Sequence, residues 1–268
     1  MQKSHPFQPL LLLFFFGYLL TALIACAPAG TPRDSVAIAP RPALLRIGIT
    51  ANAPPLIYKE GRRFTGLEAD FARKLARYTG KKAKFINLDW DELIPALEAD
   101  KIDIIMSAMT ITQARQYRIA FTNPYLRSGQ ILLVRLQEKS RFSTGIYSLM
   151  NSSYVIGLIK NTTGDLFITS TINGARVKYF TEPDDAVEAL IDKEIDAFVY
   201  DAPMVCYYAA VNENNKLSPI LTLTTEEYLA WGIRKDNIVL LEQANAFLRD
   251  LQDRQQLLPM IRSRIPYM

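Results

Sequence analysis

A chain of 268 residues with 49% hydrophobic and 22% charged side chains has the composition of a globular protein that buries a core, which excludes the disordered and low-complexity classes. A formal charge of +4, spread without a basic block, excludes nucleic acid as the expected partner.

The first 26 residues stand apart. Lys3 and His5 precede an apolar run from Leu10 to Leu20 that continues through Ala22-Leu23-Ile24-Ala25 to Cys26, the three-part layout of a secretory signal. The run is short for a membrane span and is interrupted by Gly17 and Thr21. Its ending resembles the bacterial lipobox, which implies a lipid anchor on Cys26 and an extracytoplasmic, membrane-anchored protein on the periplasmic side; an unmodified signal or an uncleaved anchor helix are the alternatives. Cleavage there removes His5, the single histidine, and with it every His-based triad and every His-ligated metal site. Neither a metal nor a cofactor is therefore expected, and Cys206 reads as a buried core residue.

Residues 27–43 are rich in Pro, Ala and small residues and predict a flexible tether. Leu44 to Ile49 predicts a strand that ends in the Pro-containing loop Thr50 to Pro55, which includes Asn52. Leu67, Phe71, Leu75 and Tyr78 recur at helical spacing before Gly80, and Lys84-Phe85-Ile86 predicts a strand. Asp89 with Glu92 predicts a capping box ahead of a helix carrying Leu93, Ile94 and Leu97, although Pro95 interrupts it. The run Ile102 to Met106 reads as a buried strand. Near the end, Tyr228 to Arg234 predicts a strand and Ile238 to Leu251 an amphipathic helix.

The pattern repeats. Ala96 to Asp103 and Ala189 to Asp196 share Ala-Leu, a charged turn and Ile-Asp before an apolar strand, and Ile47-Gly48-Ile49 is echoed by Ile156-Gly157-Leu158. Alternating strands and helices, met twice, predict an α/β protein of two similar lobes, each a mostly parallel sheet flanked by helices. The division expected is 44–134 plus 222–268 for lobe one and 135–221 for lobe two, with a two-strand hinge between them. Parallel sheets place ligands at the carboxyl ends of their strands, so the loops Thr50 to Pro55, Ser107 to Thr112, Lys160 to Asp165 and the step at Asp201 are the candidate site.

Arg115 follows Thr112, a favourable helix cap, and Thr110. Hydroxyls, free N–H groups at a helix start and a guanidinium together suit a carboxylate. In lobe two, Thr162 and Thr163 open another helix with further donors. Asp201 ends an apolar strand as a counter-charge for a cation, or serves only as the cap of the helix that follows. An α-amino acid presents both charges.

Gly66-Leu67-Glu68-Ala69-Asp70, Leu93-Ile94-Pro95-Ala96-Leu97, Ile102 to Ser107, Thr110-Ile111-Thr112 with Arg115, Phe121 with Pro124-Tyr125, and Ile195 to Phe198 with Asp201 resemble, in order, the type II periplasmic solute-binding proteins of the polar amino-acid ABC importers, family 3. The resemblance spans about 44–252. It implies a two-lobe fold of the periplasmic-binding-protein-like II class, an ABC permease as partner, and a monomer. It also implies that Arg115 and Thr110, with Thr163, hold the ligand carboxylate, while backbone at Ser107 and Ala108 and the carboxylate of Asp201 receive the ammonium. The chain departs from the family at Ala53, where an aromatic is frequent in the first loop; Trp90 either replaces that wall or serves only to pack the helix start. Leu67 and Glu68 stand where Phe and Asp are usual. A cyclohexadienyl-dehydratase-like enzyme, with Glu68 or Lys160 as general acid, is the rival expectation, and sensing for a separate signalling or cell-wall partner is a third.

Overall fold

The computed structural model describes residues 43–150 and 153–265, so the signal segment, Cys26 and the tether up to residue 42 lie outside the described residues. One sheet has the spatial order Lys82–Asn87, Leu44–Ile49, Ile104–Ile105, Gly232–Ile233, Ala120–Phe121. Its first three strands are parallel, and Gly232–Ile233 runs antiparallel to both its neighbours. The other sheet follows the same plan: Arg176–Phe180, Val155–Ile159 and Ala197–Asp201 are parallel, and Gln130–Arg135 then pairs antiparallel with Ala197–Asp201 and with Leu217–Ile220.

The parallel pairs are joined through helices, as parallel strands require. Leu67–Tyr78 buries Leu67, Phe71 and Leu75 completely. Tyr78, expected on the same face, is 48% exposed and instead leans on Phe247 with ring centroids 5.5 Å apart. The predicted capping box at Asp89 and Glu92 is present, but it opens a single 3₁₀ turn, Trp90–Glu92, before the helix Leu93–Glu98. Pro95 thus falls in the first turn of that helix, where its missing N–H costs nothing.

The repeat has one physical device at its root. The Asp103 carboxylate accepts the backbone N–H of Arg46 at 2.7 Å, and the Asp196 carboxylate accepts that of Val155 at 2.7 Å. Each Ile-Asp pair therefore fastens the start of the neighbouring strand. A side chain at Gly48 would run into Ile102, and one at Gly157 into Ile195, so glycine lets the same isoleucine lie across the same strand in both lobes. The two strands consequently end at equivalent levels.

Leu126–Ser128 and Glu227–Leu229 pair antiparallel as a two-strand connection between the lobes. The sequence-based division needs one correction. The expected boundary between 134 and 135 falls inside the strand Gln130–Arg135, which follows directly on the hinge strand Leu126–Ser128 and pairs in the second sheet between Ala197–Asp201 and Leu217–Ile220. After the hinge the chain returns to lobe one, where helices Ile238–Asp253 and Leu257–Arg264 close over Leu67–Tyr78 and Arg264 pairs with Asp70 at 2.7 Å. Beneath the hinge lies an aromatic cluster in which Trp231 contacts Phe71 and Tyr125 at centroid distances of 5.6 and 5.8 Å. Cys206 is only partly buried in the helix Ala202–Val211, not fully in the core as expected, and burial pushes its thiol pKa up.

Candidate functional site

A cavity of about 250 Å³ lies between the lobes at the carboxyl ends of both sets of parallel strands. It is smaller than the ~300–1,000 Å³ of sites for drug-sized molecules and so fits a small ligand. All nine candidate residues line it: Asn52, Trp90, Ser107, Ala108, Thr110, Arg115, Thr162, Thr163 and Asp201.

Lobe one supplies the cation. Thr112 caps the helix Gln113–Arg118 by accepting the Arg115 N–H at 3.2 Å, which fixes where the side chain leaves the backbone. The guanidinium donates to the Thr110 carbonyl at 2.9 Å and lies 5.1 Å from the centroid of the Trp90 ring. It has no carboxylate within ion-pair distance among the described residues. Burial lowers its pKa from the ordinary value, against the raising effect of Asp201 and Glu227. Trp90 thus forms a wall of the cavity, although it packs against the arginine rather than in the first loop.

Lobe two supplies the anion. Asp201 occupies the cap position of the helix Ala202–Val211, but its carboxylate makes no capping hydrogen bond. It accepts a short hydrogen bond from Gln130 Nε2 and faces the cavity while only 8% exposed, so the cap-only alternative does not hold. Burial, then the charge of Glu227, push its pKa up to about 7, against the opposing effects of the Gln130 bond and Arg115. Thr162 caps the helix Thr163–Thr171 by accepting the Asp165 N–H, and Thr162 and Thr163 line the cavity at this helix start, where the first N–H groups have no partner within the helix.

The hydroxyls do something the sequence did not reveal. Thr110 and Thr163 both donate to Glu227 Oε2, at 2.8 and 2.9 Å. Ser107 Oγ accepts the Thr50 N–H at 2.9 Å and braces the first loop. The Ala108 N–H is taken by Glu68 Oε1 at 3.0 Å, and Ala108 is held at φ 54°, a left-handed conformation unusual for alanine. Glu68 itself is fully buried behind this turn, bonded to the Tyr125 hydroxyl at 2.5 Å, and burial pushes its pKa up to about 7. It does not line the cavity, which removes it as a general acid; Lys160 does line it.

Three contacts cross the mouth of the cleft. Asn52 donates to Glu182 at 2.9 Å, Trp90 Nε1 to the Asn161 carbonyl at 3.2 Å, and Asn161 Nδ2 to Asp91 at 3.0 Å. Glu227, Gln130, Asp91 and Glu182 are among the polar residues that sequence reasoning missed. The only signal for Glu227 was a pair of acids, Glu226-Glu227, at the start of an otherwise apolar stretch.

Residues 45–261 match the family of bacterial extracellular solute-binding proteins, family 3, and the chain belongs to that family. A probable histidine-binding protein of Campylobacter jejuni is 28% identical over 190 residues, covering 71% of this chain and 72% of the relative. Among solved structures, an ancestral amino acid-binding protein described as a precursor of cyclohexadienyl dehydratase is similar with a TM-score of 0.77 and 28% identity, over 83% of this chain and 95% of that one. A putative ABC-transporter binding component from Wolinella succinogenes, complexed with lysine, is similar with a TM-score of 0.78 and 26% identity, over 83% of this chain and 96% of that one. The fold is therefore that of the type II periplasmic amino-acid-binding proteins.

Proposed function

We propose that the protein captures an amino acid between its lobes and delivers it to an ABC importer. The observation that carries this reading is the placement of Arg115 and Asp201 on opposite walls of one small cavity. The ligand carboxylate takes the Arg115 guanidinium together with backbone N–H groups of Thr110 and Thr163, and the ammonium takes Asp201, the Thr110 hydroxyl oxygen and the carbonyls of the Ser107-Ala108 turn. Around the rest of the cavity, Asp89, Asp91 and Glu182 outnumber Lys160, and Trp90, Phe180 and Tyr200 supply aromatic surface. That lining favours a cationic or neutral polar side chain over an acidic one, in line with the histidine- and lysine-associated relatives. Burying Arg115 and Asp201 without a ligand is unfavourable, so a zwitterion that satisfies both drives closure. Calorimetry against the common L-amino acids tests the reading: at least one binds the wild type, and Arg115→Ala or Asp201→Ala abolishes that binding while circular dichroism is unchanged. Unaltered affinity in either variant refutes it.

Binding without catalysis is the preferred reading, and Cys26 is proposed as the lipid anchor of a monomer. Radiolabelled palmitate incorporation that disappears in Cys26→Ala supports the anchor, and light scattering reads the mass. Dehydratase activity is the second reading, favoured by the resemblance to a dehydratase precursor and by Lys160 in the cavity. Formation of aromatic product from prephenate or arogenate decides for it.

A further inference from the structure

Glu227 is not part of the cavity wall, yet it stands where the two lobes meet. It opens the hinge strand Glu227–Leu229 and is 7% exposed, with no ion pair among the described residues. Such a carboxylate is costly to bury unless its lone pairs are filled. Here they are. Oε2 accepts the hydroxyl of Thr110 from lobe one at 2.8 Å and that of Thr163 from lobe two at 2.9 Å. Oε1 accepts the Thr225 hydroxyl at 2.7 Å and the Gln130 amide at 3.1 Å.

Proton counting gives these bonds a consequence. A threonine hydroxyl has one proton and two lone pairs, so a hydroxyl that donates to Glu227 presents only an acceptor to the cavity. Thr163 has in addition accepted Gln130 Nε2 at 3.1 Å. The two amide protons of Gln130 face three acceptors, on Thr163, Asp201 and Glu227, and thereby hold the Asp201 carboxylate in place. The close approach of Gln130 to the helix start depends on Gly164, where a side chain would press on Gln130 Oε1.

We propose that Glu227 is a positioning residue that ties the lobes together through Thr110 and Thr163 and fixes both hydroxyls as acceptors. The cleft floor then receives a donor such as an ammonium, and the ligand carboxylate is left to Arg115 and backbone N–H groups. The ligand chemistry rests on the amino-acid reading above; the coupling between lobes stands on the hydrogen bonds alone.

Two measurements separate these parts. In the ligand-free protein, chemical denaturation of Glu227→Gln combined with Thr110→Val, and separately with Thr163→Val, is expected to be non-additive, because each valine removes a partner of the same oxygen. Additivity in either cycle overturns the proposal. In the second measurement, calorimetry with each of the common L-amino acids compares wild type, Glu227→Gln, Thr163→Ser and Thr163→Val. Every amino acid that binds the wild type is expected to lose roughly tenfold to a hundredfold in affinity in Glu227→Gln and Thr163→Val, the range for a hydrogen bond to a charged group, while Thr163→Ser restores most of it. Wild-type affinity in folded Glu227→Gln overturns the proposal, as do equal affinities in the serine and valine variants, which remain informative if Glu227→Gln does not fold. If no amino acid binds the wild type, the amino-acid reading fails and the denaturation cycles still decide the role of Glu227.

Discussion

Lowering the pH should weaken ligand binding through Asp201. Its carboxyl is pushed up to about 7 by burial first and by the Glu227 charge second, with Gln130 and Arg115 acting the other way. Lys160 and Glu182 also line the cavity. A ligand ammonium placed against this carboxylate favours the ionised form and pulls its pKa back down. Binding near neutrality therefore releases a proton, and the empty site must first be ionised. With half-ionisation near pH 7, roughly 90% of empty molecules are ready at about pH 8 and only about 3% at about pH 5.5, so affinity should drop by about 30-fold, or about 2 kcal/mol. The α-carboxylate and α-ammonium of the free amino acid keep their charges throughout that range, so for a ligand whose side chain does not titrate there the change belongs to the protein. Calorimetry in buffers of different ionisation enthalpy measures both the affinity and the proton released. In Asp201→Asn residual binding should be weak and independent of pH. A wild-type profile that is flat, or an identical slope in the asparagine variant, refutes the reasoning.

Glu68 should make stability fall with rising pH. Its folded pKa of about 7 lies above the ordinary glutamate value of 4.5, so the folded state holds the proton more tightly; the contribution is complete below about pH 4.5 and lost as pH rises through about 7, up to about 3 kcal/mol. Glu68→Gln retains acceptors for Tyr125 and Ala108, and its melting temperature should exceed that of the wild type above pH 7 and fall below it near pH 5; parallel melting curves contradict this. Trp90→Ala removes both the ring against Arg115 and the bond to Asn161, and should weaken ligand binding by about 5- to 30-fold in calorimetry, with Trp90→Phe intermediate. Asp103→Asn and Asp196→Asn each weaken a charge-assisted bond to a strand start, and with it an ion pair to Arg46 or Arg135, so each should destabilise by at least about 1.5–3 kcal/mol in denaturant unfolding; an effect in only one lobe contradicts the shared device.

Residues at strand ends were legible because an α/β sheet has only one edge where loops from several strands converge. Arg115, Thr110, Thr163 and Asp201 could be placed in one cleft from that rule and the repeat alone. Glu227 and Gln130 escaped because they act from hinge strands. Gln130 opens a strand that is buried throughout and Glu227 a short one exposed only at its middle residue, and nothing local marks a side chain that points between lobes. The placement of Gln130–Arg135 was missed for a related reason: sequence order ties it to what precedes it, whereas its hydrogen bonds tie it to Ala197–Asp201, over 60 residues later. Glu68 looked like a candidate acid because charge in a motif suggests chemistry, and only its complete burial behind Ala108 shows that it braces the turn.

The charge count of the cleft floor links ligand choice to the proton. In the empty site the Arg115 cation faces the Glu227 carboxylate and an Asp201 whose pKa of about 7 allows it to hold a proton, so their net charge is near zero although Arg115 lacks a carboxylate within ion-pair distance among the described residues. A neutral zwitterion that displaces this proton leaves one net negative charge out of water, and charge buried without compensation is expensive. A ligand carrying one further positive charge on its side chain restores the balance. That extra cation has a place to reside, because Asp89, Asp91 and Glu182 line the same cavity toward its mouth contacts while Lys160 is the only opposing amine among them. An acidic side chain meets the reverse situation at both ends, adding charge to an already negative floor and facing carboxylates at the rim. On the amino-acid reading, discrimination against acidic ligands is thus expected from Asp201 and Glu227 as much as from the pocket wall.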